Sequence, residues 1–317
     1  MLIPKGPHLE FEQPVVELSM KIEDLLKTSE ITSTDVKDLL SRKEGMQKKI
    51  ASKLTAWNRV ELARRSGRPL TLDYVASIFT DFVELHGDRC FGDDPALICG
   101  LAKLDGRSVM ILGHQKGKDT KESIRRNFGM AHPEGYRKAL RCMKLAERFK
   151  LPIVSFIDTM GAYPGIGAEE RGQAEAIARN LAEMSVLTVP ILAVVIGEGA
   201  SGGAIGIGIG DRLLMLENAW FGVISPESCS AILWGDSSKK QELSETMKLT
   251  AADLFELKIV DKIVREPLGG AHWDPEAMHK LLKTALTEEL DALKAMKVDE
   301  LVEKRISKVT SIGQYST

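Results

Sequence analysis

Residues 189–211 read V-P-I-L-A-V-V-I-G-E-G-A-S-G-G-A-I-G-I-G-I-G-D, and the fold turns on how this stretch is understood. Pro190 to Ile196 is a β-branched, apolar run bounded by Pro and Gly, the pattern of a strand buried on both faces of a parallel sheet. Seven glycines follow between Gly197 and Gly210. Repeated glycine at a strand end implies positive φ or a backbone that must approach something closely. Where such a turn feeds a helix, unpaired N–H groups converge on one point, an arrangement suited to a negative oxygen.

Four readings of the turn are open from the stretch alone. Gly197, Gly199 and Gly202 satisfy G-x-G-x-x-G, with Glu217 at the spacing of a ribose-binding acid, which would make a dinucleotide site. Gly199, Ser201 and Gly203 satisfy G-x-S-x-G, with Asp261 and His272 following in hydrolase order. The N–H groups of Gly202 and Gly203 could instead form an oxyanion hole that needs neither cofactor nor nucleophile. In the fourth reading the glycines serve only the packing of a tight strand-to-helix turn.

Composition narrows the class. The 317 residues allow one large domain, or a domain with an appendage. A hydrophobic fraction of 44% and a charged fraction of 28% are those of a globular protein. The formal net charge of −2 and an aromatic content of 5% argue against nucleic-acid binding. The four cysteines, Cys90, Cys99, Cys142 and Cys229, form no C-x-x-C pair, so neither a zinc knuckle nor a disulfide framework is expected. The first residues lack the apolar core of a signal peptide, and no run approaches a membrane span. A cytoplasmic protein without membrane contact is expected.

In chain order, residues 1–86 read as a helical extension for assembly. It comprises Pro14 to Lys27, then a long segment Val36 to Arg65 capped near Thr32–Asp35, then Thr71 to Leu85. Residues 87–270 change grammar. Ala96 to Leu104 and Ser108 to Gly113 flank Asp105-Gly106, a hairpin signal. A helix from Pro133 to Lys150, a strand from Pro152 to Asp158 and a helix from Glu169 to Met184 lead back to the central strand. Arg212 to Leu216, Trp220 to Ile224 and Ile259 to Val264 read as further strands, with a Ser225-capped helix toward Trp234. Residues 271–317 read as a carboxyl-terminal helical segment opening at Asp274-Pro275-Glu276. Strands alternating with helices imply a mainly parallel α/β sheet, whose strand ends bring the loops 113–117, 158–165 and 197–203 together.

Seven motifs carry a resemblance. G-H-Q-K-G-K-D-T-K-E at 113–122, R-R-N-F-G-M at 125–130, P-E-G-Y-R-K-A at 133–139 and D-T-M-G-A-Y-P-G at 158–165 are joined by A-E-E-R-G-Q at 168–173, G-E-G-A-S-G-G at 197–203 and E-P-L-G-G-A-H at 266–272. Together they resemble the alpha subunits of bacterial acetyl-CoA carboxylase carboxyltransferases, from Phe11 nearly to the carboxyl end. The resemblance implies a crotonase-like (ClpP/crotonase) spiral of ββα units. It implies carboxyl transfer from carboxybiotin to acetyl-CoA, giving malonyl-CoA for fatty acid synthesis. The alternative is a subunit of another biotin-dependent acyl-CoA carboxylase or decarboxylase. Also implied are an α2β2 heterotetramer with a zinc-ribbon beta subunit, a separate biotin carboxyl carrier protein, and no metal in this chain. The family's oxyanion pair falls on Gly202 and Gly203. Three positions depart from the common pattern: Met160 stands where Pro is usual, and Ala200 and Ser228 where Gly is usual.

Further candidates accompany the pair. Gly161 and Tyr163 are expected to form pocket wall, and His114 to position biotin or hold neighbouring backbone. Lys116 heads a basic run with Lys118, Lys121, Arg125 and Arg126, which suits either an anion contact or a solvated face. Arg171, next to Glu170, is expected to line the site or to form a structural clamp. The Ser201 hydroxyl is expected to satisfy a turn amide, and His272 to be structural.

Overall fold

The computed structural model describes residues 3–4, 6–27 and 33–313. The chain opens with α1 (Gln13–Lys27) and α2 (Ser33–Ala51), which pack on each other, followed by the short α3 (Ala56–Ala63) and α4 (Thr71–Ile78). The expected segment Val36 to Arg65 is therefore two helices. The Thr55 side chain accepts from the Asn58 N–H and starts α3 afresh. The Thr32 end of the proposed cap lies outside the described residues.

The expected helix Thr71 to Leu85 is corrected as well. It ends at Ile78, and β1 (Thr80–Glu84) takes over as an edge strand antiparallel to β2 (Leu97–Leu104). Gly100 of β2 lets this happen, because a Cβ there would stand 2.5 Å from both the Phe82 ring and the Val83 carbonyl oxygen. Pairing with a strand distant in sequence thus overrides local helical spacing.

β2 turns through Asp105-Gly106 into β3 (Arg107–His114), the hairpin expected from the sequence. α5 (Thr120–Arg125) and α6 (Pro133–Arg148) lead to β4 (Ile153–Thr159). The single helix expected over Glu169 to Met184 is two, α7 (Ile166–Glu170) and α8 (Gln173–Val186), divided at Gly172 with φ +82°. β5 (Ile191–Ala200) is buried along its whole length and runs directly into α9 (Ser201–Ile205). β6 (Arg212–Leu216), β7 (Trp220–Gly222), α10 (Pro226–Trp234), α11 (Lys240–Thr246), α12 (Ala251–Glu256), β8 (Lys262–Val264), α13 (Pro275–Lys294) and α14 (Val298–Thr310) follow.

The sheet order is β1-β2-β3-β4-β5-β6-β8, antiparallel over the first three strands and parallel from β3 onward. β5 serves two neighbourhoods. Leu192 to Val195 pair with β6, whereas Glu198 to Ala200 pair with β7. Its far end therefore exchanges β6 for β7 as a neighbour, while Gly199 still pairs with Thr159 of β4. The interior is one large apolar cluster, in which Tyr74, Phe156, Val194, Leu214 and Leu286 are all fully buried, and a smaller one of Trp57, Val60, Ala63, Ala200, Trp220 and Leu249.

The carboxyl-terminal segment closes onto the root of β5. Arg305 of α14 is fully buried and binds both Asp211 carboxylate oxygens at 2.8 Å. It also donates to the carbonyls of Met184, Leu187 and Val189 at 2.6–2.9 Å. Asp211 in turn accepts from the Ile191 N–H at 2.7 Å, so one guanidinium settles the connection from α8 into β5. Among the described residues no helix is long and apolar enough to cross a membrane.

Candidate functional site

β3, β4 and β5 are parallel neighbours, so their carboxyl ends lie side by side. The loops 113–117, 158–165 and 197–203 meet there, as the alternation of strands and helices predicts. At the centre is the β5–α9 junction. Gly202 and Gly203 occupy the first turn of α9, where backbone N–H groups have no intrahelical acceptor. Gly203 is buried against the second loop. A Cβ on it would stand 2.3 Å from the Gly161 carbonyl carbon and 2.5 Å from the Ala162 nitrogen. Gly202 is roomier, its nearest neighbour being the Ile177 side chain at 3.6 Å.

Gly161 adopts φ +149°, is itself buried, and has nothing within 4 Å of where its Cβ would be. Its amide and carbonyl are both held by the Thr159 hydroxyl, at 3.1 and 2.7 Å. Tyr163 is half-buried beside it and stacks on His132 with ring centres 4.0 Å apart. Gln173 reaches from α8 to the Tyr163 and Ala131 carbonyls and sets the outer wall of this loop.

His114 is fully buried and lies beneath the glycine turn, its ring next to the carbonyls of Gly203 and Phe156. Burial, aided by the Lys116 charge, pushes its pKa down to about 3, so the ring is neutral. It packs behind the turn, and neither ring nitrogen has a hydrogen-bond partner among the described residues.

Lys116 is likewise not a free cation. Its ammonium lies 2.7 Å from Asp158 and 2.7 Å from Glu198. Of the remaining basic run, Lys118 pairs with Asp73 and Arg126 with Glu122, leaving Lys121 and Arg125 exposed. Arg171 forms the clamp, donating to Glu134 at 2.7 Å and stacking over Phe91 at 4.6 Å. Of the three departures, Ala200 is buried, Met160 is half-exposed at the loop tip, and Ser228 sits within the Ser225 cap of α10.

Two of the four readings of the turn lose their partners. His272 is buried and bonds Glu12 through Nε2 at 2.6 Å, while Asp261 pairs with Lys308. Neither reaches Ser201, whose exposed hydroxyl makes no hydrogen bond among the described residues, contrary to the expected turn contact. For a dinucleotide, the phosphate turn should hold Gly197 and Gly199, but both lie inside β5 and serve packing. A Cβ on Gly197 would stand 2.5 Å from Asp158 Oδ1, and one on Gly199 would stand 2.5 Å from the Phe221 ring. Glu217 is engaged with Arg265. The oxyanion reading and the packing-only reading remain.

Three charged residues of this region carry no role in the sequence reading: Arg64, and Asp158 and Glu198 although both stand in quoted motifs. Glu198 is almost fully buried and binds Arg64 at 2.6 Å as well as Lys116. Burial pushes its carboxyl up, but the two cations outweigh this and hold it below the usual glutamate range. A charged residue inside an apolar strand is the signal that could have found the cluster, because a buried carboxylate demands a cation. Among the described residues no group of three or more His, Cys, Asp or Glu could hold a metal.

With this geometry established, comparison with known proteins is informative. The family described as "acetyl co-enzyme A carboxylase carboxyltransferase-like" matches residues 8–313. An acetyl-coenzyme A carboxylase carboxyl transferase subunit alpha from Geobacter metallireducens is 57% identical over 311 residues, 97% of this chain and 98% of the relative. Its counterpart from Thermus thermophilus is 52% identical over 312 residues, 97% and 99% of the two chains. Among solved structures, a Pseudomonas malonate decarboxylase heterotetramer in complex with coenzyme A superposes with a TM-score of 0.57 at 17% identity, covering 70% of this chain and 89% of that one. The transcarboxylase 12S core gives 0.55 at 20% identity, over 71% of this chain and 42% of that one. These distant structures share the crotonase-like α/β fold.

Proposed function

Because this chain belongs to the alpha-subunit family of the acetyl-CoA carboxylase carboxyltransferases, we propose that it forms the carboxybiotin-binding half of that enzyme's shared site. The family activity is carboxyl transfer in acetyl-CoA carboxylase, and an alpha subunit implies a partner carboxyltransferase subunit. The finer reading is our own. Gly202 and Gly203 donate their N–H groups to the ureido oxygen of biotin, which becomes more negative as the carboxyl group departs. Each such donor contributes about 3 kcal/mol to the transition state, by analogy with other oxyanion holes.

The observation that carries this reading is the contact of Gly203 with the Gly161 loop. It leaves no room for a side chain at Gly203, while Gly161 keeps open space on its own outer side. A flat bicyclic ring suits such a glycine-walled cradle, with Tyr163 at its edge. Bound carboxybiotin would supply the one-carbon unit and accept the proton leaving the acetyl methyl group. The chain then needs no strong base of its own, in keeping with a neutral His114 and a Lys116 engaged by two carboxylates. Its residues orient the ring, stabilise the oxygen and exclude water.

The partner in this proposal is a zinc-ribbon beta subunit in an α2β2 assembly, with biotin delivered by a separate carrier protein in the cytoplasm. α1 and α2, amphipathic and at the periphery, are assigned to assembly. Exposed Met160, Ile166 and Val223 near the glycine turn fit a surface covered by the partner.

The test mixes the purified chain with a candidate beta subunit and measures malonyl-CoA-dependent carboxylation of biocytin. Turnover in the mixture, and in neither protein alone, is expected. A formed complex that carboxylates biocytin from methylmalonyl-CoA, leaving propionyl-CoA, but not from malonyl-CoA would replace this substrate assignment with another biotin-dependent acyl-CoA carboxylase.

A further inference from the structure

We propose that Arg64, Lys116, Asp158 and Glu198 form a charge cluster whose task is to position the Gly202–Gly203 turn for catalysis. The inference rests on the oxyanion reading above and adds four positioning residues to it, one of them from the helical extension.

The end of β5 is held at consecutive residues by charged side chains. Arg68 donates through Nε to the Ile196 carbonyl at 2.9 Å. Gly197 has no side chain because Asp158 Oδ1 occupies that space, and the same oxygen accepts the Glu198 N–H at 3.0 Å. The Glu198 carboxylate receives Arg64 on one oxygen at 2.6 Å and Lys116 on the other at 2.7 Å. Lys116 returns to Asp158 at 2.7 Å, closing the circuit. Three residues separate Glu198 from the oxyanion pair, and Ala200 among them is buried.

The cluster also joins every element that converges on the site. Arg64 follows α3, Lys116 belongs to the loop after β3, Asp158 to the end of β4 and Glu198 to the end of β5. Arg64 carries the linkage on to Glu227 in α10. Stability alone does not account for such an arrangement. Apolar residues of similar volume commonly stabilise a protein as well as a buried ion network does, whereas charged hydrogen bonds fix direction and register. Direction is what an oxyanion site requires, since a displacement of about 1 Å can cost about 100-fold in rate.

The cluster is tested in the assembled alpha–beta complex by malonyl-CoA-dependent carboxylation of biocytin. Glu198→Gln keeps shape and removes the charge, while Arg64 retains Glu227 and Lys116 retains Asp158. A fall in kcat of about 10-fold or more is expected, with KM for malonyl-CoA within about twofold. Lys116→Met, which breaks the circuit from another loop, should lose a similar factor. The decisive readout is a cycle with Gly203→Ala. If the cluster acts through the glycine turn, Glu198→Gln costs far less in the Gly203→Ala background than in the parent. A merely structural role gives the same factor in both backgrounds and overturns the proposal, as does parental kcat in both single variants. Should Glu198→Gln fail to assemble, Arg64→Lys, which keeps the charge but not the two-way reach, is read by the same cycle. An inactive parental complex would remove the oxyanion reading and this proposal together, whereas an active one with indifferent variants removes this proposal alone.

Discussion

Replacing Gly203 with alanine inserts one methyl group where the structure has room for none. The new Cβ would stand 2.3 Å from the Gly161 carbonyl carbon, 2.5 Å from the Ala162 nitrogen and 2.7 Å from the Gly161 oxygen. All three are backbone atoms, so no rotamer change relieves the contact. To reach ordinary contact near 3.4 Å, the loop and the turn must separate by about 1 Å. Overpacking of this kind costs about 1–3 kcal/mol of stability, small enough for the chain to remain folded. A displacement of about 1 Å at the oxyanion donors predicts a loss of about 100-fold in kcat. Gly202→Ala is the built-in control, because its Cβ meets only the Ile177 side chain at 3.6 Å. Its cost in stability should stay below about 1 kcal/mol, and its cost in rate below about tenfold. The assay is biocytin carboxylation by the assembled complex, with thermal unfolding of each variant alongside. Unaltered turnover by Gly203→Ala, or a Gly202→Ala loss as large as that of Gly203→Ala, would refute the reasoning.

Two further predictions concern strain and pH. Ser201 adopts φ +55° without using its hydroxyl, so Ser201→Gly should raise stability by about 1 kcal/mol, seen as a higher Tm. It should leave turnover within about threefold, and labelling of the parent chain at Ser201 by a fluorophosphonate would return a chemical role to the hydroxyl. Acid should unfold the chain in two overlapping stages. His114, held neutral at about 3 against an ordinary 6.5, removes stability as the pH falls below 6.5. Burial pushes Glu266 up, but Arg68 and two backbone N–H groups bring it down to about 2. Its stabilisation, about 3 kcal/mol from the shift alone, is complete above the unfolded value of 4.5 and is lost as the pH falls toward 2. Glu12, also brought to about 2, follows the same course. A Tm that stays flat from pH 6.5 to 3 would contradict both assignments.

The central strand, the hairpin and the convergence of three loops were legible because each has a local signature: a β-branched run, Asp105-Gly106, and glycine after strand ends. β1 was not legible, since its pairing depends on Gly100, some twenty positions away, leaving room for Phe82 and Val83. The division at Gly172 was missed because a positive-φ glycine interrupts helical spacing without erasing it. The glycine pair emerged from motif resemblance, whereas the charge cluster behind it did not. Its members come from four segments, and nothing in the immediate neighbours of Arg64 or Asp158 announces a partner across the fold. Lys116 was noticed as part of a basic run, yet its meaning reverses once the two carboxylates beside it are seen.

The Arg305 latch has a consequence for how the chain is made. During synthesis β5 emerges well before α14, so the carbonyls of Met184, Leu187 and Val189 and the carboxylate of Asp211 must wait for their guanidinium. Until residue 305 has cleared the ribosome, the root of the central strand carries a buried charge with no counterion. Such a nascent chain should remain a chaperone client, with its glycine turn attached to an unsettled strand. Maturation of the site would then wait for α14 to dock, which delays commitment to a partner subunit until the latch has closed.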